Sequence, residues 1–279
     1  MANKREHTVK KGDTLSGLAK KNGLKSYKDI YNAPENAKFR KLRKDPNKIE
    51  PGDKVFIPPS PTTTPCEFKK EMPRMTINVM GKKKLIFVQQ RWQYNWLTGG
   101  KVSKWTANEK KNYHNNIDKA IWAKWSGKYV LSVSGDSDFA RAFATTEFDV
   151  SFDIKRVSSG GHWNVNVTKI PKGDWKGSKV NWTTQTITLD SEDHVAVVKD
   201  AATGTKQKGA VHEFGHAIGN TSHIEHMHAD EYKDASAYKA DIKSMMNCGM
   251  ELRKRHADHL ISELNKMIPK TTWKVKAIK

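Results

Sequence analysis

The chain has 279 residues, 36% hydrophobic and 29% charged, which is room for about two domains with cores of their own. No apolar run approaches the roughly 18 residues that a membrane span needs, so an integral helical membrane protein is excluded. Fifty Lys and Arg against 30 Asp and Glu give a net charge of +20, but this charge is spread along the chain and accompanies no nucleotide-recognition motif, so no nucleic-acid partner is expected.

The opening stretch, Met1 to Leu15, is polar and basic with no apolar centre, so no conventional secretory signal peptide is expected in it. His7-Thr8-Val9 alternates like a short strand. Gly12-Asp13-Thr14 is a turn able to cap a helix carrying Leu15, Leu18 and Ala19. A second helical stretch covers Tyr27 to Tyr31, and Pro51-Gly52-Asp53 turns into a returning strand, Val55-Phe56-Ile57. The predicted order is βααβ. Four prolines between Pro58 and Pro65, interleaved with threonines, then impose an extended linker. The predicted organisation is a domain over 1–58, a linker over 59–66 and a second domain over 67–279, of α+β class overall. Cys66 and Cys248 are too few for a disulfide framework or a multi-cysteine zinc site.

The strand, the GDTL turn into a helix and the later PGD turn resemble the LysM domain. That resemblance implies binding of the N-acetylglucosamine backbone of peptidoglycan or chitin. The groove would be lined by Gly12, Asp13, Thr14 and Leu15 together with Asn47, Lys48 and Ile49. The segment from Ala33 to Pro46 is longer than a minimal LysM connection and is similar to the variety in phage-tail and contractile-injection proteins.

Beyond the linker, Ile77 to Met80 and Leu85 to Val88 read as strands about a turn at Gly81, and residues 107–125 read as a helix with Ile117 and Ile121 on one face. Phe148, Val150, Phe152 and Ile154 alternate with polar residues, as do Trp163, Val165 and Val167. The intervening Ser158-Ser159-Gly160-Gly161 predicts a hairpin. One more strand is expected from Val180 to Leu189, and then a helical C-terminal third.

The most informative segment is Val211-His212-Glu213-Phe214-Gly215-His216-Ala217-Ile218-Gly219. Residues four apart share a helix face, so His212 and His216 can present two imidazoles to one ion with Glu213 beside them as general base. Gly219 can end the helix and redirect the chain toward the ion. With Ser244-Met245-Met246-Asn247 downstream, the pattern resembles the metzincin zinc peptidases, HExxHxxG followed by a Met-turn, and Met246 would be the residue beneath the metal.

That resemblance implies a Zn2+ cofactor, a twisted and mostly antiparallel sheet, and a peptide held along an exposed strand, here the one near Thr183 to Leu189. Its usual third ligand falls six residues after the second His, where this chain has Ser222, a poor zinc ligand. Asp230 is preferred because Asp230-Glu231-Tyr232 matches the DEY triplet of some bacterial members after an insertion. His223, His226 and His228 are the alternatives.

The expectation is a zinc endopeptidase with Glu213 as base, brought to a bacterial envelope by LysM and acting on protein or on peptidoglycan peptides. By analogy it would be a secreted toxin of the type VI effector kind, with a secretion-apparatus carrier and an immunity protein, delivered to the envelope or interior of a target bacterium. The alternatives are a peptidoglycan peptide-stem hydrolase and a non-catalytic wall-binding or injection-apparatus protein whose metal site has degenerated.

Overall fold

The computed structural model describes residues 5–60, 65–224 and 230–279. His226 and His228 lie outside the described residues. The fold is α+β, and the chain divides into two compact units. The first comprises 1–67 with 133–146 and 268–272; the second comprises 68–132, 147–267 and 273–279.

The N-terminal segment runs β1 (Glu6–Thr8), α1 (Leu15–Lys21), α2 (Tyr27–Tyr31), a 3-10 turn at Pro34–Asn36, α3 (Ala37–Leu42) and β2 (Lys54–Phe56). The two strands pair antiparallel with His7 opposite Val55. Thr14 caps α1 by accepting the Gly17 N–H at 3.0 Å, and Ser26 and Asp29 form a capping box on α2. Leu15, Leu18, Ala19, Ile30, Phe39 and Val55 make the core. The long connection after α2 therefore folds, adding α3 to the expected βααβ order. Arg40 secures it by donating to the carbonyls of Tyr31 and Ala33 at 2.7 Å, and Arg43 by forking onto Asp53.

The remaining elements are β3 (Glu67–Glu71), β4 (Thr76–Met80), β5 (Leu85–Thr98), α4 (Ala107–Trp125), β6 (Tyr129–Gly135), α5 (Asp138–Ala142), β7 (Glu147–Val157) and β8 (Trp163–Lys169). There follow β9 (Lys179–Asn181), β10 (Thr186–Asp190), β11 (Ala196–Asp200), β12 (Thr205–Lys208), α6 (Gly209–Ala217), α7 (Asp258–Met267) and β13 (Thr271–Ile278). A nine-stranded sheet runs β13-β6-β7-β5-β8-β10-β9, with β4 added to β5 and β3 to β4. β11 and β12 form a separate antiparallel pair.

The sheet is mixed: its central pairs β7–β5, β5–β8 and β8–β10 are parallel, whereas β6–β7, β4–β5 and β9–β10 are antiparallel as expected. β7 and β8 are not a hairpin. β7 pairs with β5 as far as Gln93, and the chain then crosses to the opposite edge of β5, where β8 pairs with Trp92 to Thr98. Gly161 permits the crossing: a Cβ there would lie 2.8 Å from the Cβ of Gln93. Alternation foretells a strand face and is silent on the partner. The expected strand from Val180 to Leu189 is two antiparallel strands, β9 and β10, with Ile187 opposite Val180.

The core of the second unit lies between the sheet and helices α4 and α6. Ile117, Ile121 and Trp125 of α4 and Val211 and Phe214 of α6 are buried with Val88, Trp92, Val150 and Phe152 of the sheet. Trp125, Phe152 and Phe214 meet edge to face at centroid separations of 5.8–6.0 Å. Each such side chain contributes about 1.5–3 kcal/mol by leaving water. Polar tethers set the position of α6: the Trp125 indole donates to Val211 O at 3.1 Å, and Gln90 donates to Ala217 O at 2.8 Å.

Candidate metal centre

Helix α6 presents His212 and His216 one turn apart, with their Nε2 atoms 3.2 Å from each other. Each imidazole is turned outward by a carbonyl at its other nitrogen. His212 Nδ1 lies 2.8 Å from Met245 O, and His216 Nδ1 lies 2.6 Å from Asn220 O. A carbonyl only accepts, so Nδ1 carries the proton in both rings and leaves a lone pair on Nε2, the form a metal requires. Burial, reinforced by the neighbouring His216, pushes His212 down to about 3.

Asp230 completes the cluster. One ligand atom from each of His212, His216 and Asp230 lies within 4.8 Å of the others, and Asp230 Oδ1 stands 3.2 Å from His216 Nε2. Lys233 Nζ holds the second Asp230 oxygen at 2.6 Å. Burial opposes a charge on His216, but the Asp230 carboxylate outweighs it and raises the ring above its usual value. Ser222 and His223 line the same cleft without entering the cluster.

Glu213 is buried, and its Oε2 has no hydrogen-bond partner. Burial pushes its carboxyl up to about 7. Buried carboxylate oxygens are normally satisfied, so the orphan marks a place for something the protein does not itself supply. Two imidazoles and one carboxylate, with a further carboxylate beside them, are a donor set suited to zinc with one coordination position left open.

The surrounding chain makes this geometry rigid. Gly219 has a φ of 119°, and a Cβ on it would fall 2.3 Å from the His259 ring. Its turn delivers the Asn220 carbonyl to His216, while the Asn220 amide donates to Gly215 O and His256 O. Met246 is fully buried, and its sulfur would lie 2.5 Å from a Cβ at Gly215, so it packs directly on α6. The buried Gln207 amide lies within 3.0 Å of the carbonyls of Met245, Asn247 and Gly249, bracing the segment that orients His212. Asn220 and Gln207 escape a motif search because one acts through its backbone and the other from a separate strand.

The cleft holds about 260 Å³ and is also lined by Ser178, Lys179, Val180, Thr221 and Tyr232. The edge role expected of Thr183 to Leu189 belongs to β9. β10 is flanked by β8 and β9, which leaves β9 at the end of the sheet. Burial, with help from Asp230, pushes the half-exposed Tyr232 up to about 12, so at neutral pH its hydroxyl is a donor.

In the first unit, Gly12 (φ 91°), Thr14, Asn47 and Lys48 are exposed. Leu15 is not a groove residue: it is 3% exposed and belongs to the core, because α1 buries the face it starts. Ile49 packs on the same core. Asp13 is engaged by His7 Nε2 at 2.7 Å and by the Lys10 N–H at 2.8 Å. The PGD turn is joined to the end of β1 by Val9 N–H to Asp53 O and Gly52 N–H to Val9 O, both 2.8 Å. Cys66 and Cys248 are free thiols. No helix among the described residues is long and apolar enough to cross a membrane.

No curated protein and no solved structure matches the chain. Residues 7–33 match the family model of the LysM domain, which suggests peptidoglycan binding for the N-terminal segment.

Proposed function

We propose that the chain is a zinc-dependent endopeptidase directed to the bacterial envelope by its LysM segment. The observation that carries this reading is the convergence of His212, His216 and Asp230 beside the unpartnered, buried carboxylate of Glu213. When bound, zinc supplies a Lewis acid that polarises a carbonyl and acidifies a water. The chain's own residues do the rest. His212 and His216, with Nδ1 fixed on Met245 O and Asn220 O, keep both Nε2 lone pairs aimed at one point. Glu213, at about 7, is matched to taking a proton from water at neutral pH and returning it to a leaving amine. An extended substrate lies along the open edge of β9, where Lys179 and Val180 line the cleft. Tyr232 offers a hydroxyl proton to the scissile carbonyl.

The LysM match supports a substrate in envelope material, either a recipient-cell protein or a peptidoglycan peptide stem. The role of a secreted effector with a contractile carrier and an immunity protein rests on resemblance alone. The test incubates the full chain, with zinc content measured, with casein and with purified peptidoglycan stems, with and without a chelator. Chelator-sensitive cleavage that disappears in Glu213→Gln is expected. Zinc-loaded protein that cleaves neither substrate would instead favour the non-catalytic wall-binding reading, which the exposed Ser222 at the usual ligand position motivates.

A further inference from the structure

Glu231 has no role in the reading above, yet its carboxylate is among the most deeply buried charges of the second unit, at 1% exposure. Both oxygens are engaged. Arg255 donates from Nε to Oε1 at 2.6 Å and from its terminal nitrogen to Oε2 at 2.8 Å. His256, also buried, brings Nε2 within 3.3 Å of Oε1; its Nδ1 accepts the Arg253 N–H, so Nε2 carries the proton and donates. Arg255 is itself steadied by Asp241 at 2.8 Å and by the Tyr238 ring at 4.0 Å. A buried carboxylate persists only when paired in this way, so the surrounding groups fix its position closely.

That fixed point adjoins the parts that aim all three candidate ligands. The Glu231 N–H donates to Met246 O at 2.9 Å, one residue from the Met245 carbonyl that orients His212. His256 carries the carbonyl that receives the Asn220 amide, and Asn220 in turn orients His216. Asp230 is the residue preceding Glu231 in the chain. Among the described residues its ion-pair support besides His216 comes from Lys233, whose side chain is 61% exposed and is a weak restraint.

We propose that Glu231 is the positioning residue of the centre: through its fork with Arg255 and its backbone bond to Met246, it holds Asp230 as the third ligand opposite the two histidines. This rests on the zinc reading above. Residues that orient a ligand without touching the metal change metal affinity about 10–100-fold when replaced.

The test measures zinc affinity of the full chain by competition with a chromophoric chelator, alongside the visible spectrum of the cobalt-substituted protein, and needs no activity. Wild type, Glu231→Gln, Asp230→Ala and the double variant are compared. Glu231→Gln is expected to weaken zinc binding at least tenfold, to shift the cobalt spectrum toward that of Asp230→Ala, and to change affinity less than twofold in the Asp230→Ala background. Arg255→Lys, which keeps the charge and loses the fork, is expected to weaken binding in the same direction and supplies the comparison if Glu231→Gln does not fold. Zinc affinity and cobalt spectrum unchanged in Glu231→Gln, or an equal loss in both backgrounds, would overturn the assignment. Wild type that binds no stoichiometric zinc would overturn the zinc reading with it, whereas tight wild-type binding with a silent Glu231→Gln would overturn the positioning role alone.

Discussion

Replacing Gly219 by alanine perturbs the centre through the backbone, and the structure fixes the size of the effect. At φ 119° an L-residue pays about 1–2 kcal/mol for the left-handed side of the map. The added methyl would also lie 2.3–2.5 Å from three atoms of His259, far inside ordinary contact, so the ring or α6 must move, at about 1–3 kcal/mol of overpacking. Together Gly219→Ala is expected to destabilise the second unit by about 2–5 kcal/mol, a large part of the roughly 5–15 kcal/mol that holds a domain together. All nine tryptophans lie in that unit, so denaturant unfolding followed by tryptophan fluorescence reports on it alone. Removing the whole His259 side chain, Cβ included, in Gly219→Ala/His259→Gly should relieve the collision, so that measured against His259→Gly alone only the backbone share, about 1–2 kcal/mol, remains. A single variant within about 0.5 kcal/mol of wild type, or a double variant that recovers nothing, would refute this account of the turn.

Glu213→Gln is expected to bind zinc as wild type does while peptide hydrolysis falls about 10²–10⁴-fold, as measured by metal analysis and a fluorogenic peptide assay. Asp193, buried and facing Asp190, has a carboxyl raised to about 7, so the folded state binds its proton more tightly than the unfolded chain. Its stabilising contribution is full below the unfolded value near 3.8 and is lost as pH rises through about 7, on the order of 4 kcal/mol. Asp193→Asn should flatten that decline between pH 4 and 8 in urea titrations, and an unchanged slope would rule Asp193 out as its source. Chelator treatment should lower the melting temperature of the second unit and added zinc should restore it, because binding to the folded state alone is stabilising. Replacing the exposed Asn47 and Lys48 together by alanine should reduce co-sedimentation with purified peptidoglycan; an unchanged bound fraction would remove both from the glycan groove.

The sequence reveals His212, Glu213 and His216 because helical periodicity alone brings i and i+4 to one face. Helix α4 is equally plain, since its apolar spacing and the Thr106–Glu109 capping box mark its face and its start. Asp230 follows from resemblance only: the chain between it and Gly219 has no periodicity, and the exposed Ser222 shows how far that segment departs from the usual spacing. Gln207, Asn220 and Glu231 stay hidden because each acts across the fold on a carbonyl or an arginine that no local pattern names. The β7–β8 misreading has a different origin: a glycine pair signals a change of direction equally well for a hairpin and for a crossing over β5. β13 is hidden in the sequence because Lys274 and Lys276 dilute its apolar pattern at exposed positions while Trp273 faces the core.

Zinc-edge X-ray absorption on the purified full chain tests the centre most directly. Stoichiometric zinc with two imidazole nitrogens and oxygen donors near 2.0–2.2 Å is the expected result, with one imidazole lost in His216→Ala and the oxygen shell altered in Asp230→Ala. A shell of three imidazoles, which would hand the third position to His223, His226 or His228, or protein that retains no zinc at all, would contradict it.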